Sequence, residues 1–243
     1  MRIKSLLLSL SAAAALAAGA AQAAGPELIT NGDFETGTVG QFNYGGGASG
    51  WNVVDGYTFL FNGTGADTTG ANGQYGNLKL WGPANGSANG LTASPAGGNF
   101  LASDGAFLEA PITQTVNGLV AGQKYTLSFY WAGAQQYDYH GANTEQWKVS
   151  LGSETHSTAV LNNSNHGFTG WQKETFTFTA TNASEVLSFL AVGTPSGVPP
   201  FSLLDGVSMI AAVPEPETWA MLGLGLGLIG FAARRRKADA KAA

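Results

Sequence analysis

KYTLSFYWAG, residues 124–133, alternates large apolar side chains with smaller or polar ones. Tyr125, Leu127, Phe129 and Trp131 fall on one face of an extended chain, because successive side chains of a β-strand point to opposite faces. This period of two predicts a strand with one face in a hydrophobic core. The stretch therefore favours a half-buried sheet as the basis of the fold.

The same residue types recur on both sides of this stretch and predict further strands. Those after it are KETFTFTA (173–180), EVLSFLAV (185–192) and FSLLDGVSMI (201–210), and those before or near it are ELIT (27–30), WNVV (51–54), YTFLF (57–61), NLKLW (77–81), ITQTV (112–116) and EQWKVSL (145–151). Turn signals separate them, at Asn31-Gly32, Asp55-Gly56, Asn117-Gly118 and Ala121-Gly122. About ten short strands without a long amphipathic helix predict an all-β fold, an antiparallel β-sandwich of the jelly-roll type. Residues 62–76 and 82–98 are rich in Gly, Asn, Ala and Ser, and we expect them to form long surface loops.

Composition excludes several classes of function. The chain of 243 residues has no cysteine, so neither a disulfide framework nor a thiolate metal site can form. Between Gly25 and Val213 there are four lysines, no arginine and thirteen acidic residues. Because nucleic-acid-binding proteins carry a basic patch, this acidic body argues against a nucleic-acid partner.

The N-terminal residues have the three parts of a secretory signal peptide. Arg2 and Lys4 are basic, residues 5–18 are apolar or small, and Ala21-Gln22-Ala23 fits the small-x-small cleavage rule. We expect residues 1–23 to form an apolar signal helix that is removed on export.

The C-terminal residues VPEPETWAMLGLGLGLIGFAARRRK, 213–237, have a different pattern. Residues 219–233 carry no charge, and as a helix they would span roughly 22 Å, short of the ~30 Å hydrocarbon core of a bilayer. Arg234, Arg235, Arg236 and Lys237 follow as a basic stop of the kind that remains in the cytoplasm. The pattern predicts a short transmembrane helix at 218–233 that serves as a temporary hold, with a buried core helix as the alternative.

Val213-Pro214-Glu215-Pro216, the short apolar helix and the arginine cluster together resemble the PEP-CTERM sorting signal. The same module is also called an ice-binding protein C-terminal domain. The resemblance implies recognition by an exosortase of a Gram-negative bacterium that makes exopolysaccharide, with Glu215 and its flanking prolines as the recognised segment. Proline keeps that segment extended, since it fixes φ and disfavours helix in the preceding residue. The chain then divides into a signal peptide (1–23), a β-sandwich (24–212), a sorting signal (213–237) and a tail (238–243).

The body resembles galactose-binding-like jelly rolls of the carbohydrate-binding-module type at three stretches, ELITNGDFETG (27–37), NGLVAGQKYTLSFYWA (117–132) and LLDGVSM (203–209). In that superfamily the two terminal strands often lie side by side and hold a structural Ca²⁺. Carried over, Glu35 and Asp205 would be carboxylate ligands, and Asn31 or Asp33 would contribute an oxygen. Gly206 departs from the family pattern, which has a second acidic residue there.

Calcium is chemically reasonable at this position, because it takes six to eight oxygen ligands and would tie together the ends of a chain that lacks disulfides. The alternative is that Asn31-Gly32-Asp33 and Asp205-Gly206 are ordinary turns. Both interpretations stay open from the residues alone.

Signals for catalysis are weak. His140, His156 and His166 are not spaced as zinc ligands, and GTPSG (193–197) is not a nucleophile elbow. A glycosidase needs two carboxylates across a cleft, which could come from Asp104, Glu109, Asp138, Glu145 or Glu154. Since acidic residues on loops are usually solvated, we predict no enzyme activity.

WAGAQQYDYHGANTEQW, residues 131–147, concentrates aromatic side chains among amides. Aromatic rings stack on the apolar faces of sugars while polar groups bind the hydroxyls. We expect Trp131 and Trp147 to lie in the core, and likewise Trp51, Trp81 and Trp171 to serve packing. Contacts to a ligand are assigned to a loop containing Tyr137, Asp138, Tyr139 and His140.

Together these patterns predict an exported protein that an exosortase processes after a transient stay in the inner membrane. It would then reach the cell surface or the exopolysaccharide matrix, where its sandwich binds polysaccharide without catalysis. A structural biofilm protein without a specific ligand is the first alternative, and a glycoside-active enzyme is the second. Structural Ca²⁺ is the one cofactor expected.

Overall fold

A computed structural model describes residues 25–212, 223 and 225–227. The predicted signal peptide, the Val213–Pro216 motif, the basic stop and the tail lie outside the described residues, and so does most of the predicted helix 218–233. The four described residues of that helix are α-helical. Over the described parts of the chain, helices long and apolar enough to cross a membrane are not found.

Residues Pro26–Ala212 form one compact unit that is almost entirely β-structure. Its strands are β1 (Gly37–Thr38), β2 (Gly40–Gln41), β3 (Gly47–Ala48), β4 (Asn52–Val53), β5 (Thr58–Asn62), β6 (Ala71–Gly73), β7 (Gly76–Leu78), β8 (Asn99–Asp104), β9 (Ile112–Asn117), β10 (Lys124–Gln135), β11 (Asn143–Leu151), β12 (Glu154–Ser157), β13 (Leu161–Asn163), β14 (Gln172–Thr179), β15 (Ser184–Thr194) and β16 (Pro200–Ala211). A single 3₁₀ turn, Pro83–Asn85, lies between β7 and β8.

Two six-stranded antiparallel sheets make the sandwich. The first has the order β14-β10-β16-β8-β5-β2, and the second has the order β12-β11-β15-β9-β4 with β13 paired to β11. Because the strands that neighbour each other are mostly distant in sequence, the connections cross between the sheets as in a jelly roll. The predicted all-β antiparallel sandwich is confirmed.

The main hydrophobic core lies between the two sheets. Leu127, Phe129 and Trp131 of β10 point into it, as their alternation predicts, and Trp147 and Phe189 contribute from the second sheet. Trp131 and Trp147 are 1% and 0% exposed, so their assignment to the core is confirmed.

A second core covers the outer face of the first sheet. Phe59 and Phe61 of β5, Phe100 of β8 and Phe201 of β16 point outward from the sandwich, whereas Leu60 and Leu101 point inward. The central strands of this sheet are therefore apolar on both faces, and a further layer of chain has to cover them.

Residues 62–98 supply that layer. The expectation of surface loops at 62–76 and 82–98 is wrong in part, and NLKLW (77–81), expected as a strand, overlaps β7. Ala66, Ala71, Leu78 and Leu80 are at most 3% exposed and pack on the second core, while β6 and β7 form a hairpin within the segment. Small residues suit this role because they let the covering chain approach the aromatic face closely.

The N-terminal segment lies beside β16 without forming a ladder. The Leu28 amide donates to the Met209 carbonyl at 3.0 Å, and the Val207 amide donates to the Gly32 carbonyl at 2.8 Å. ELIT is therefore extended but is not one of the strands.

Candidate functional site

The predicted ligand residues Tyr137, Asp138, Tyr139 and His140 lie in the loop that joins β10 to β11. Trp81 holds this loop in place through a ring contact and a hydrogen bond. The Tyr137 ring packs on Trp81 with ring centroids 4.6 Å apart, and the Trp81 indole Nε1–H donates to the Tyr139 carbonyl at 2.9 Å. Asp138 is exposed with φ 71°, and Tyr139 is 40% exposed. Trp81 is 8% exposed, so its assignment to packing is confirmed, and it also shapes the loop.

His166 joins this cluster from a distant part of the chain. Its ring stacks on Trp81 at 3.8 Å between centroids, and its Nε2 lies 2.6 Å from Nδ1 of His140. The His166 amide donates to Oε1 of Gln135, which is fully buried. Burial and the adjacent His140 imidazole lower the pKa of His166. The two histidines are 26 residues apart, so no local spacing could have revealed the pair.

A second aromatic group, missed in the sequence, surrounds Tyr57. The ring centroids of Tyr57, Tyr75 and Phe107 lie 5.3–6.0 Å from one another. Tyr75 is 67% and Phe107 is 41% exposed, whereas Tyr57 is buried beneath them. Tyr75 stands in the tight turn between β6 and β7, where its only sequence signal is an aromatic residue among turn formers.

Tyr57 also connects this group to the loop after β10. The pKa of Tyr57 is raised to about 12, mainly by burial and also by Asp104, Tyr139 and Tyr75, so Tyr139 lies within electrostatic reach of Tyr57. We call this surface the aromatic strip. It consists of Tyr57, Tyr75, Phe107, Trp81, Tyr137 and Tyr139.

Asp104 lies under the strip at the end of β8 and is 2% exposed. Burial raises the pKa of its carboxyl to about 7, the amides of Ala106 and Phe107 lower it, and the Glu109 carboxylate raises it. Glu109 is exposed. Of the five carboxylates considered for glycosidase chemistry, Asp104, Glu109 and Asp138 belong to this region.

The other two carboxylates are in the second sheet. Glu145 on β11 is fully buried between the sheets, where burial raises its pKa to about 8 and a hydrogen bond from Asn163 lowers it. Glu154 on β12 lies 3.1 Å from His156 and accepts from the Thr179 amide. Neither contacts the aromatic strip through any hydrogen bond of residues 25–212.

The four residues expected to hold calcium meet different environments. Asp205 is fully buried; its Oδ1 accepts from the Gly206 amide at 2.7 Å, and its Oδ2 has no hydrogen-bond partner. The pKa of Asp205 is raised to about 7, mainly by burial and also by the carboxylates of Glu35 and Asp33, while the Ser94 hydroxyl and the Gly206 amide act in the opposite direction. Both of those carboxylates are exposed, and their effect on this pKa puts them within electrostatic reach of Asp205.

Asn31 and Glu35 are already engaged in other contacts. The Asn31 amide oxygen accepts from the Thr36 amide at 2.9 Å, and its nitrogen donates to the carbonyls of Thr36 and Ser49. Glu35 Oε1 accepts from the Asn99 amide at 2.6 Å. Within residues 25–212, no group of three or more His, Asp or Glu side chains is placed so that it could hold a metal ion. The unpartnered Oδ2 of Asp205 is the one observation here that fits a cation, whereas Glu35 and Asp33 do not converge on it as a ligand group in this structure.

Gly206 has a structural reason to depart from the family pattern. β10 and β16 shift register between Ser128 and Tyr130, and Gly206 stands at this bulge with φ 58°. A Cβ there would lie 3.0 Å from both Ala96 and Tyr130. A second acidic side chain at this position would therefore clash and force an unfavourable backbone conformation.

Similar structures of known proteins include the tailspike protein 4 enzymatically active domain of bacteriophage CBA120, with 13% identity over 76% of this chain and a TM-score of 0.37. That match spans 21% of the tailspike chain. The CBM22-1 xylan-binding domain of Paenibacillus barcinonensis Xyn10C is 14% identical over 79% of this chain and 98% of its own, with a TM-score of 0.37. A CBM4 structure is 16% identical over 76% of this chain and 99% of its own, with a TM-score of 0.34.

No curated protein matches the sequence. The family model described as the PEP-CTERM protein-sorting motif matches residues 212–237, which confirms the resemblance found at Val213–Pro216 and the segments that follow. This protein therefore carries a PEP-CTERM protein-sorting motif at residues 212–237.

Proposed function

We propose that this protein is exported by a Gram-negative bacterium, is held transiently in the inner membrane and processed by an exosortase, and then binds polysaccharide through the aromatic strip. Its final location is the cell surface or the exopolysaccharide matrix. The sorting motif supports the pathway, and the aromatic strip supports the ligand class.

The observation that carries the proposal is the exposure of Tyr75, Phe107 and Tyr139, each held by contacts to a buried aromatic residue. These rings are 67%, 41% and 40% exposed. Buried Tyr57 backs Tyr75 and Phe107, and Trp81 holds the loop of Tyr139. Stacking a sugar on such rings removes apolar surface from water, and the loss of side-chain freedom is small because the rings are already held.

Polar groups along the strip can bind hydroxyls. Asp138, Tyr139, His140 and Glu109 are exposed beside the rings. A flat apolar platform with a few convergent polar groups is the usual composition of a carbohydrate site.

Binding without catalysis fits the position of Asp104. Its carboxyl is 2% exposed beneath the rings and accepts from the Ala106 amide at 2.8 Å, so a glycosidic oxygen on the platform does not reach it. A general acid has to come within hydrogen-bond distance of the atom that it protonates.

We also propose that Asp205, Glu35 and Asp33 hold Ca²⁺. The ion would neutralise three neighbouring carboxylates that have no lysine or arginine ion pair within residues 25–212. It would join the N-terminal segment to β16, to β8 through Asn99, and through Ser94 to the chain that covers the second core. Asn31 would stabilise the turn beside the site and would not be a calcium ligand, because its side-chain oxygen already accepts from the Thr36 amide.

Affinity electrophoresis of the purified protein in gels that contain single polysaccharides tests the binding proposal. We expect retardation by at least one polysaccharide and loss of retardation in Tyr75→Ala and Phe107→Ala. Tyr44→Ala is the matched control, because Tyr44 is 54% exposed but lies on the loop between β2 and β3. If the wild type passes every gel unretarded, or if Tyr44→Ala loses retardation equally, the strip is not the binding site.

A further inference from the structure

The charged groups along the aromatic strip are mostly acidic. Glu109 and Asp138 are exposed at its rim, whereas Asp104 is buried beneath it with its pKa raised to about 7, and His140 and His166 lie beside Trp81. Residues 25–212 contain no arginine, and their four lysines are Lys79, Lys124, Lys148 and Lys173. Lys79 is the one lysine that contacts the strip by a described hydrogen bond, and it does so through its backbone carbonyl, which accepts from the Tyr137 amide at 2.9 Å.

The loop that carries Phe107 and Glu109 is fixed beside Tyr57. The Tyr57 amide donates to the Leu108 carbonyl at 3.0 Å, and the Gly105 amide donates to the Pro200 carbonyl at 2.9 Å. The Ala106 amide donates to Oδ1 of Asp104. These bonds hold the loop in place, and on it the exposed Glu109 follows the exposed Phe107 by two residues.

This arrangement discriminates between glycans by charge. Carboxylates at the rim repel uronate groups and attract ammonium groups, and the attraction is stronger where the rings exclude water. The faces of Tyr75 and Phe107 add to it, because aromatic faces attract cations. A free amino group on the sugar would therefore gain from both the rings and the rim.

Resting on the proposed function, we propose that the strip selects polysaccharides with free amino groups, such as N-deacetylated hexosamine polymers, over their N-acetylated forms and over uronate polymers. The ligand class follows from the juxtaposition of exposed aromatic rings with Glu109 and Asp138.

Calorimetric titration of the full chain with three oligosaccharides tests this inference: the hexamer of glucosamine, the hexamer of N-acetylglucosamine and the hexamer of galacturonic acid. At about pH 6 the amino groups are largely protonated while exposed carboxyls are ionised. We expect the glucosamine hexamer to bind about five- to tenfold more tightly than its acetylated form, and the galacturonate hexamer not to bind. Added salt should reduce the preference.

Glu109→Gln and Asp138→Asn should each reduce the preference, and Tyr75→Ala should abolish binding of the glucosamine hexamer. Glu174→Gln is the matched control, since it removes an acidic group from β14, four strands away from β5 in the same sheet. Non-specific attraction to an acidic protein would persist in Tyr75→Ala and respond equally to Glu174→Gln, and that result would overturn the inference.

The two proposals fail in different ways. Binding that depends on Tyr75 but is equal for the acetylated and free-amine hexamers, or is unchanged in Glu109→Gln and Asp138→Asn, overturns the charge selection and leaves the polysaccharide site standing. Absence of any binding that depends on Tyr75, for these hexamers and for every polysaccharide tested, overturns both.

Discussion

Asp205 shows how a single buried atom can indicate a missing partner. Its Oδ2 has no hydrogen bond although the residue is fully buried, and buried polar atoms are rarely left unpaired. The sequence could suggest Asp205 as a ligand because of its place in the last strand. It could not show that the side-chain oxygen of Asn31 accepts a hydrogen bond from the Thr36 amide, because that bond depends on the folded turn.

Removing the Asp205 charge should separate the effects of calcium and burial. For the wild type we expect added Ca²⁺ to raise the melting temperature, by the equivalent of about 2.7 kcal/mol at 100 times the dissociation constant. Asp205→Asn should lose this response, yet in chelator it should be at least as stable as the wild type, because a buried unpaired carboxyl is gone. Differential scanning calorimetry with calcium and with chelator measures both.

Asp55→Asn serves as the control, because Asp55 is exposed and has φ 56°, a conformation that asparagine tolerates. It should keep the calcium response. A calcium response that Asp205→Asn retains would contradict the site.

Glu145 should make stability depend on pH. Its pKa is raised from 4.5 to about 8, so between these values the unfolded chain loses a proton that the folded chain keeps. Stability from the neutral carboxyl is therefore complete below about pH 4.5 and is lost as pH rises towards 8, at about 1.4 kcal/mol per pKa unit. Urea denaturation in chelator at a series of pH values should show this decline, and Glu145→Gln should flatten it.

Asp104 and Asp205, whose pKa values are each raised to about 7, would contribute the remaining slope in that variant. Glu154→Gln is the control, because its side chain is 37% exposed, and the decline should persist there. A wild-type curve that is flat from acid to pH 8 would mean that Glu145 ionises inside the sandwich without penalty.

At the scale of elements, residue type and alternation predicted the strands well but did not predict which of them are buried on both faces. β10 and β5 were both placed as strands, at 124–133 and 57–61, yet the continuous run of buried residues Thr58–Phe61 in β5 has no alternation that would indicate a single core face. A run of apolar residues such as Phe59–Phe61 indicates that both faces of the strand are covered, and therefore that a further layer of chain packs on the outer face of the sheet. Residues 62–76 and 82–98 resemble loops in composition because small side chains allow the chain to approach an aromatic face closely.

Leu80 connects the second core to the binding loop. It is fully buried in that core, forms a bridge to Gln136 and precedes Trp81. We expect Leu80→Ala to lower the free energy of unfolding by about 2–5 kcal/mol, to expose residues 62–98 to protease and to weaken glycan binding. Urea denaturation, limited proteolysis and affinity electrophoresis measure the three effects.

Leu127→Ala is the matched control in the core between the sheets, where Leu127 is also fully buried. It should cost similar stability while residues 62–98 stay protected in the folded protein. If both variants expose the segment equally, the two cores unfold as one cooperative unit.

At the scale of the whole molecule, the fold class and the sorting signal could be inferred from local patterns, because both depend on residues close together in sequence. Half of the candidate site could not be inferred from local sequence patterns. Tyr137 and Tyr139 stand in a dense aromatic stretch, whereas Tyr75, Phe107 and His166 join them only through folding of distant segments. The covering segment 62–98 brings Tyr75 and Trp81 to the strip, so a site of this kind is visible only after that segment is placed.

The sorting motif should be separable from the folded body. Glu215→Ala removes the acidic residue between the two prolines, and we expect it to block processing, so that the protein accumulates unprocessed in the inner membrane. Replacing Arg234, Arg235 and Arg236 by alanine should also prevent processing, because it removes the basic stop that retains the helix.

Glu217→Ala is the matched control, because it removes an equal charge two residues away and outside the motif. The measurement is the mass and location of the protein in its host by fractionation and mass spectrometry. Normal mass and location in Glu215→Ala would refute the exosortase assignment, whereas altered processing in Glu217→Ala alone would move the recognised acidic residue. In either case the isolated protein should keep its affinity for glycan, since the aromatic strip is formed by residues of the compact unit Pro26–Ala212.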